Sequence, residues 1–213
     1  MEGLHFIYFA DPMCSWCWGF APVIERLNAA YGEALPIRLV LGGLRPGTEQ
    51  VMPEHAKAST RTHWEHVLEA SGQPFDFGFF DRQDFIYDTD PAAQATVWVR
   101  RQRPDQALAF LRRAQQAFYA ENQDVTRPQV LADLVVEFGL DRDEFLAALG
   151  KEDLKHETWR DYGVSQRAGV KGFPTLIAGP NTDGTFALVT SGFQPADQIL
   201  PMIENWVAGL RAA

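Results

Sequence analysis

Cys14 and Cys17 are the only two cysteines in this 213-residue chain, and two residues separate them. At that spacing on the first turn of a helix, two sulfurs can close into a disulfide and reopen with little backbone movement. That is the geometry a reversible two-electron switch needs. The same pair admits zinc ligation, but a closed zinc site wants four ligands and the chain offers no second cysteine pair. His63 and His66 lie one turn apart without a third ligand at hand and read as an exposed polar face, so no metal site is expected. His5 and His156 have no partner in sequence, and Lys171 reads as a solvated loop lysine.

The two thiols are expected to differ. At a helix N-terminus, unpaired N–H groups and the helix dipole favour a thiolate at Cys14, which therefore reads as the attacking nucleophile. Cys17, one turn further on, reads as the more buried, resolving thiol. Ser15 and Trp16 between them carry no cation, which predicts a moderate redox poise. Trp16 should stay near the surface. Asp11, three residues before Cys14, reads either as a cap accepting from the Met13 or Cys14 N–H or as a proton-transfer group.

Composition bounds the setting. With 46% hydrophobic and 22% charged residues the chain can build a sizeable core. A formal net charge of −9 and a pI near 5.0 argue against nucleic acid or an anionic membrane as partner. The apolar run before Asp11 has no Lys/Arg cluster ahead of it and no small-residue cleavage site behind it, and reads as a strand. The expected compartment is the cytoplasm, where a Cys-x-x-Cys pair is more often catalytic than structural.

The elements that must position the thiols follow from periodicity. Leu4 to Ala10 is nearly continuous in apolar residues, as for a strand covered on both faces. From Cys14, Phe20, Val23, Ile24, Leu27 and Tyr31 share one helical face, with Pro22 unable to donate to the Trp18 carbonyl and Gly32 at the end. Ile37 to Leu41 is a short strand closed by Gly42-Gly43. Far down the chain, 175–178 and 186–190 read as strands joined by a turn-rich link at 179–184, and 195–209 as an amphipathic helix with Leu210 continuing its core spacing. Between them, 53–168 shows helix signals: Asp90-Pro91, Pro104 and Arg127-Pro128 as starts, Gly139 as a stop, Asp141 as a cap. The expected architecture is an α/β domain of residues 1–52 and 169–213, split by an all-helical insertion of residues 53–168.

That order, with Cys-x-x-Cys at the first helix and Gly172-Phe173-Pro174-Thr175 opening the third strand, resembles the DsbA-like branch of the thioredoxin superfamily. Asp11-Pro12-Met13-Cys14 and Ser191-Gly192-Phe193-Gln194-Pro195 are similar to its cytosolic FrnE-like group. Hydroxychromene-carboxylate isomerases and kappa-class glutathione transferases share the fold, usually with Ser in place of Cys14. The resemblance implies a thioredoxin-like fold, βαβ then ββα around the insertion, and a cis Phe173–Pro174 bond beside the dithiol. It makes Cys14, Cys17 and Pro174 the catalytic set, with Ser15, Trp16, Phe173 and Thr175 as substrate contacts; the Phe173 backbone would pair with an extended substrate. One departure stands out: thioredoxins carry a buried acid six residues before the first cysteine, where this chain has Tyr8.

Three functions stay open. The first is a thiol–disulfide oxidoreductase acting on protein or small-molecule disulfides, with no bound cofactor and with glutathione or a thioredoxin-like protein as reductant. The second is a glutathione-dependent transferase or isomerase. The third is a redox-sensing binding protein. The aromatic stretch Phe75, Phe77, Phe79, Phe80, Phe85 and Tyr87 reads as packing between insertion and sheet rather than as a binding site.

Overall fold

A run as apolar as His5–Ala10 is stable only where both of its faces are covered, and β1 (His5–Ala10) is an interior strand of a four-stranded sheet. The computed structural model describes residues 3–181 and 183–212; Thr182 and the Leu210 side chain lie outside the described residues. β2 (Ile37–Leu41) runs parallel to β1, Phe6 opposite Ile37 through Ala10 opposite Leu41. β3 (Thr175–Gly179) lies antiparallel on the other side, Phe9 opposite Thr175, and β4 (Ala187–Ser191) pairs antiparallel with β3. The order is β2-β1-β3-β4, a mixed α/β sheet whose interior strand leads directly to the cysteines.

The β1–β2 connection is α1 (Ser15–Tyr31), which buries Cys17, Trp18, Phe20, Val23, Ile24 and Leu27. Pro22 sits inside it, as the sequence requires, and deprives the Trp18 carbonyl of its helical donor. The Gln73 side chain replaces that donor, giving its Nε2–H to Trp18 O at 3.2 Å. The proline is thus tolerated because a distant residue satisfies the freed acceptor. α8 (Ala196–Ala212) closes the chain, with Ile199, Leu200, Ile203 and Val207 buried.

Between β2 and β3 run α2 (Glu54–Ser71), α3 (Asp90–Gln102), α4 (Ala107–Tyr119), α5 (Pro128–Glu137), α6 (Arg142–Ala148) and α7 (Glu152–Arg167), with 3-10 turns at Phe77–Asp81 and Pro104–Gln106. Pro91 and Pro128 occupy first-turn positions, and the Asp141 carboxylate caps α6 by accepting from the Asp143 and Glu144 N–H groups, both at 2.8 Å. Apart from a lone bridge between Val51 and Ile86, no β pairing occurs in this stretch among the described residues. The aromatic stretch packs as the sequence suggested. Fully buried Trp64 is ringed by Phe75, Phe77, Phe79, Phe80, Phe118 and Tyr119 at centroid distances of 4.8–6.2 Å. Trp18 of α1 stacks on Tyr119 at 6.5 Å, so one continuous core joins sheet and helices.

The helices also cover the free edge of β2. Arg100 of α3 donates to Leu39 O at 2.9 Å and to Asp161 of α7 at 2.6 Å, while Asp161 accepts from the Leu41 N–H at 2.9 Å. An edge with its backbone groups so occupied offers no template for another strand. No helix among the described residues is long and apolar enough to cross a membrane.

Candidate active site

Cys14 is the residue that caps α1, with an extended backbone at φ −94° and ψ 115°. Its N–H donates to Asp11 O at 3.2 Å, and its carbonyl accepts from the Trp18 N–H at 3.1 Å. The side chain points at the loop before β3, where the Cys14 Sγ–H donates to Phe173 O at 3.6 Å. Chain ends 159 residues apart in sequence therefore meet at one sulfur. The Phe173–Pro174 peptide is cis, and the Gly192 N–H of the β4 end holds Pro174 O at 2.7 Å. Both cysteines are free thiols.

Glycine at 42 makes this meeting possible. A Cβ there would lie 2.0 Å from Cζ of Phe173, so only a hydrogen leaves room for the aromatic ring. Gly43 next to it, at φ +70°, lets the chain turn under the Tyr162 ring. The sequence showed Gly42-Gly43 as a strand end and did not reveal that Phe173 packs on it. Beside the thiol, Trp16, Ala70, Phe173, Gly192 and Phe193 line a surface cleft of about 290 Å³. The rings of Trp16 and Phe193 are 5.5 Å apart, and Trp16 is half-buried. Ser15 is half-buried at the first helical position, whereas the Thr175 hydroxyl is buried and committed to Gly172 O at 2.8 Å.

Cys17 has a different setting. It is fully buried, and burial, reinforced by the adjacent Cys14 sulfur, pushes its thiol well above the ordinary range. Asp11 is also fully buried. Its Oδ1 accepts from the Met13 N–H at 2.9 Å and its Oδ2 from the Leu44 N–H at 2.8 Å, which ties the Cys14 turn to the loop after β2. Burial lifts this carboxyl to about 6 despite those bonds. Around it, the Tyr87 hydroxyl donates to Met13 O at 2.7 Å, and Gln115 Nε2 reaches Asp11 O at 3.5 Å. Burial raises the Tyr8, Tyr87 and Tyr119 phenols, and the two cysteines add to the shift at Tyr8.

Tyr87, Gln115, Tyr119, Leu44 and Gly42 escaped the sequence reading. Tertiary packing alone brings Tyr87 and Tyr119 near Cys14, Gln115 and Leu44 onto Asp11, and Gly42 under Phe173, although Tyr87 stood in the aromatic run. His63 and His66 are exposed on α2, Lys171 is exposed ahead of Pro174, and no cluster of three or more His, Cys, Asp or Glu side chains among the described residues is arranged to hold a metal.

A family model described as Thioredoxin matches residues 7–199. The chain belongs to the thioredoxin family. Within the superfamily it is DsbA-like, with the thioredoxin-like fold interrupted by helices. Over 98% of its length this thioredoxin-family chain superimposes with a TM-score of 0.86 on 99% of a candidate protein disulfide isomerase from Nitrosomonas europaea, at 32% identity. It also matches the cytosolic disulfide reductase DsbM from Pseudomonas aeruginosa at 26% identity and a TM-score of 0.79, covering 98% of this chain and 100% of that one. A structure of DsbM with glutathione superimposes at a TM-score of 0.73 with 24% identity, over 98% of each chain. Among curated proteins, the ClpXP adapter SpxH from Halalkalibacterium halodurans is 25% identical over 79% of this thioredoxin-family chain, which spans only 56% of that relative's length.

Proposed function

We propose that the chain is a thiol–disulfide oxidoreductase working in the reducing direction through a mixed disulfide at Cys14. The observation that carries this reading is the pair of unlike thiols on one helical turn: Cys14 at the helix start beside Phe173 O, Cys17 sealed behind it. The Cys14 thiolate attacks one sulfur of a substrate disulfide and releases the other as a thiolate. Cys17 then attacks Cys14, closing the Cys14–Cys17 disulfide and freeing the second substrate sulfur. Two electrons have moved from the dithiol to the substrate.

The cleft of Trp16, Phe173 and Phe193 would seat the substrate's apolar flank, with Phe173 O and the adjoining backbone taking an extended chain as an added strand. Ser15 borders the same opening. Asp11 acts as a cap, and Thr175 reads as holding the Gly172 turn rather than touching substrate. Glutathione is the proposed reductant that reopens the dithiol, supported by the likeness to DsbM, which has been solved with it. That likeness also supports a cytoplasmic location.

Replacement of Cys17 by Ser should leave a stable mixed disulfide between Cys14 and substrate, visible by mass as an adduct that dithiothreitol releases. Cys14→Ser should form none. Adducts in neither variant would sink the reading. The adapter name of the curated relatives favours a second possibility, a binding protein whose dithiol only reports oxidant. Client binding that persists in Cys14→Ser, with no turnover in the wild type, would establish that alternative.

A further inference from the structure

β4 ends the sheet, and its outer row of N–H and C=O groups meets no partner among the described residues. The opposite edge is protected, since β2 carries the exposed Arg38 and has Arg100 and Asp161 bonded along it. A free edge is normally guarded by a charged side chain, a proline or a covering element. β4 has none of these, and from Thr185 to Ala196 the sequence holds no charged residue. Its one irregularity is a bulge at Val189, between Leu188 opposite Ile177 and Thr190 opposite Leu176. The bulge twists the strand without hiding it: Leu188 is 64% exposed.

Grooves flank this edge on both faces of the sheet. One, of about 540 Å³, lies between β4 and α8 and is lined by Leu188, Ser191, Gln194, Gln198 and the half-exposed Met202. The other, of about 490 Å³, runs over Phe9, Ile177, Phe186 and Leu188. Lys171 is the single charged side chain lining either groove among the described residues. The acids of α8, Asp197 and Glu204, share a helical face that is not the face of Gln198 and Met202. An apolar and neutral surface therefore surrounds an unpaired strand.

We infer that β4 is the docking edge for a second copy of this chain, each β4 pairing antiparallel with its counterpart about a two-fold axis. Charge selects that occupant. The chain carries a net charge of −9, so two copies repel over acidic surface, and a basic partner would be drawn to that surface instead. A two-fold contact sets each residue near its own image, and this face has no acid to set against itself. Leu188 and Met202 are covered, the free backbone groups pair, and the two sheets run on as one. The dithiol follows β1, and β3 lies between β1 and β4, so the contact does not need Cys14 and does not rest on the oxidoreductase reading.

The test is the mass of the full chain in solution, by sedimentation velocity over roughly 1 to 200 μM, a range suited to a small interface. Dithiothreitol is present throughout, so that no disulfide links two copies. A monomer–dimer equilibrium is expected. Leu188→Lys, at an exposed position that folding does not need, places two ammonium groups near the axis and should weaken association at least about tenfold. Met202→Lys, on α8 rather than on the strand, should weaken it in the same direction. Hydrogen exchange locates the contact: amides within 187–191 should exchange about tenfold more slowly in the dimer than in the diluted monomer. A monomer at every concentration would overturn the proposal. So would a dimer that Leu188→Lys leaves intact, or one whose protected amides lie outside β4.

Discussion

Cys14 and Cys17 are the same residue type at the first turn of one helix, and the protein gives them different settings. The side of Cys14 is built from backbone and rings: Phe173 O at 3.6 Å, the ring of Phe173 lying on Gly42, and an open cleft edged by Trp16 and Phe193. The side of Cys17 is closed: the thiol is fully buried, with the equally buried Asp11 beside it. On the proposed reading, a surface of apolar rings and one carbonyl would accommodate partners of varied sequence. Burial instead holds the Cys17 thiol protonated. On the proposed reading, the asymmetry gives the two thiols different work before any substrate arrives.

The sharpest way to test that contrast is differential alkylation. At pH 7 iodoacetamide should modify Cys14 about a hundredfold faster than Cys17 or more, read by peptide mass, because Cys17 is both inaccessible and held protonated. Comparable rates would dissolve the distinction.

Next in size comes Asp11. Its carboxyl is raised from 3.8 to about 6 in the folded protein, so between those values the native state binds more protons than the unfolded chain, and stability falls as pH rises through that window. The contribution is on the order of 3 kcal/mol at full ionisation. Asp11→Asn should flatten the stability profile between pH 4 and pH 6 in urea titrations. An equally steep profile in the variant would assign the titration to another group.

Two smaller effects separate the sides. Gly42→Ala forces the Phe173 ring away from its seat and should destabilise by about 1–3 kcal/mol, slowing attack by Cys14 while leaving the titration of Cys17 in place. Tyr87→Phe strands the Met13 carbonyl next to Cys14 and should cost about 1 kcal/mol, with a smaller change in the first attack and no displacement of the Cys17 titration. If both variants altered both steps equally, the two sides would be one coupled unit.

Much of this was readable from residue order, and the particular successes and failures have causes. Strands and helices followed from period-2 and period-3.6 burial and from Pro, Gly and Asp at element ends, all of them local signals. The kink-prone Pro22 was legible, but its remedy was not, because Gln73 lies on a different element and nothing local marks it as a donor to Trp18 O. Asp11 as a cap was legible through its spacing from Met13, whereas its second oxygen, holding Leu44, was not. The resemblance implies Thr175 as a substrate contact; that its hydroxyl bonds Gly172 O was not legible in the sequence.

By itself the sequence determined the chemistry on offer: two thiols at a redox spacing on the first turn of a helix, fed by a buried strand, with a proline far down the chain to meet them. Spacing along a helix and alternation along a strand are fixed by backbone geometry, so they need no knowledge of the rest of the molecule. Only the tertiary structure decided that both thiols are buried, Cys17 completely, that Phe173 lies on Gly42, and that the buried Asp11 sits beside Cys17. Those facts depend on burial and on contacts between elements a hundred or more residues apart, where the local pattern carries no record of its partner.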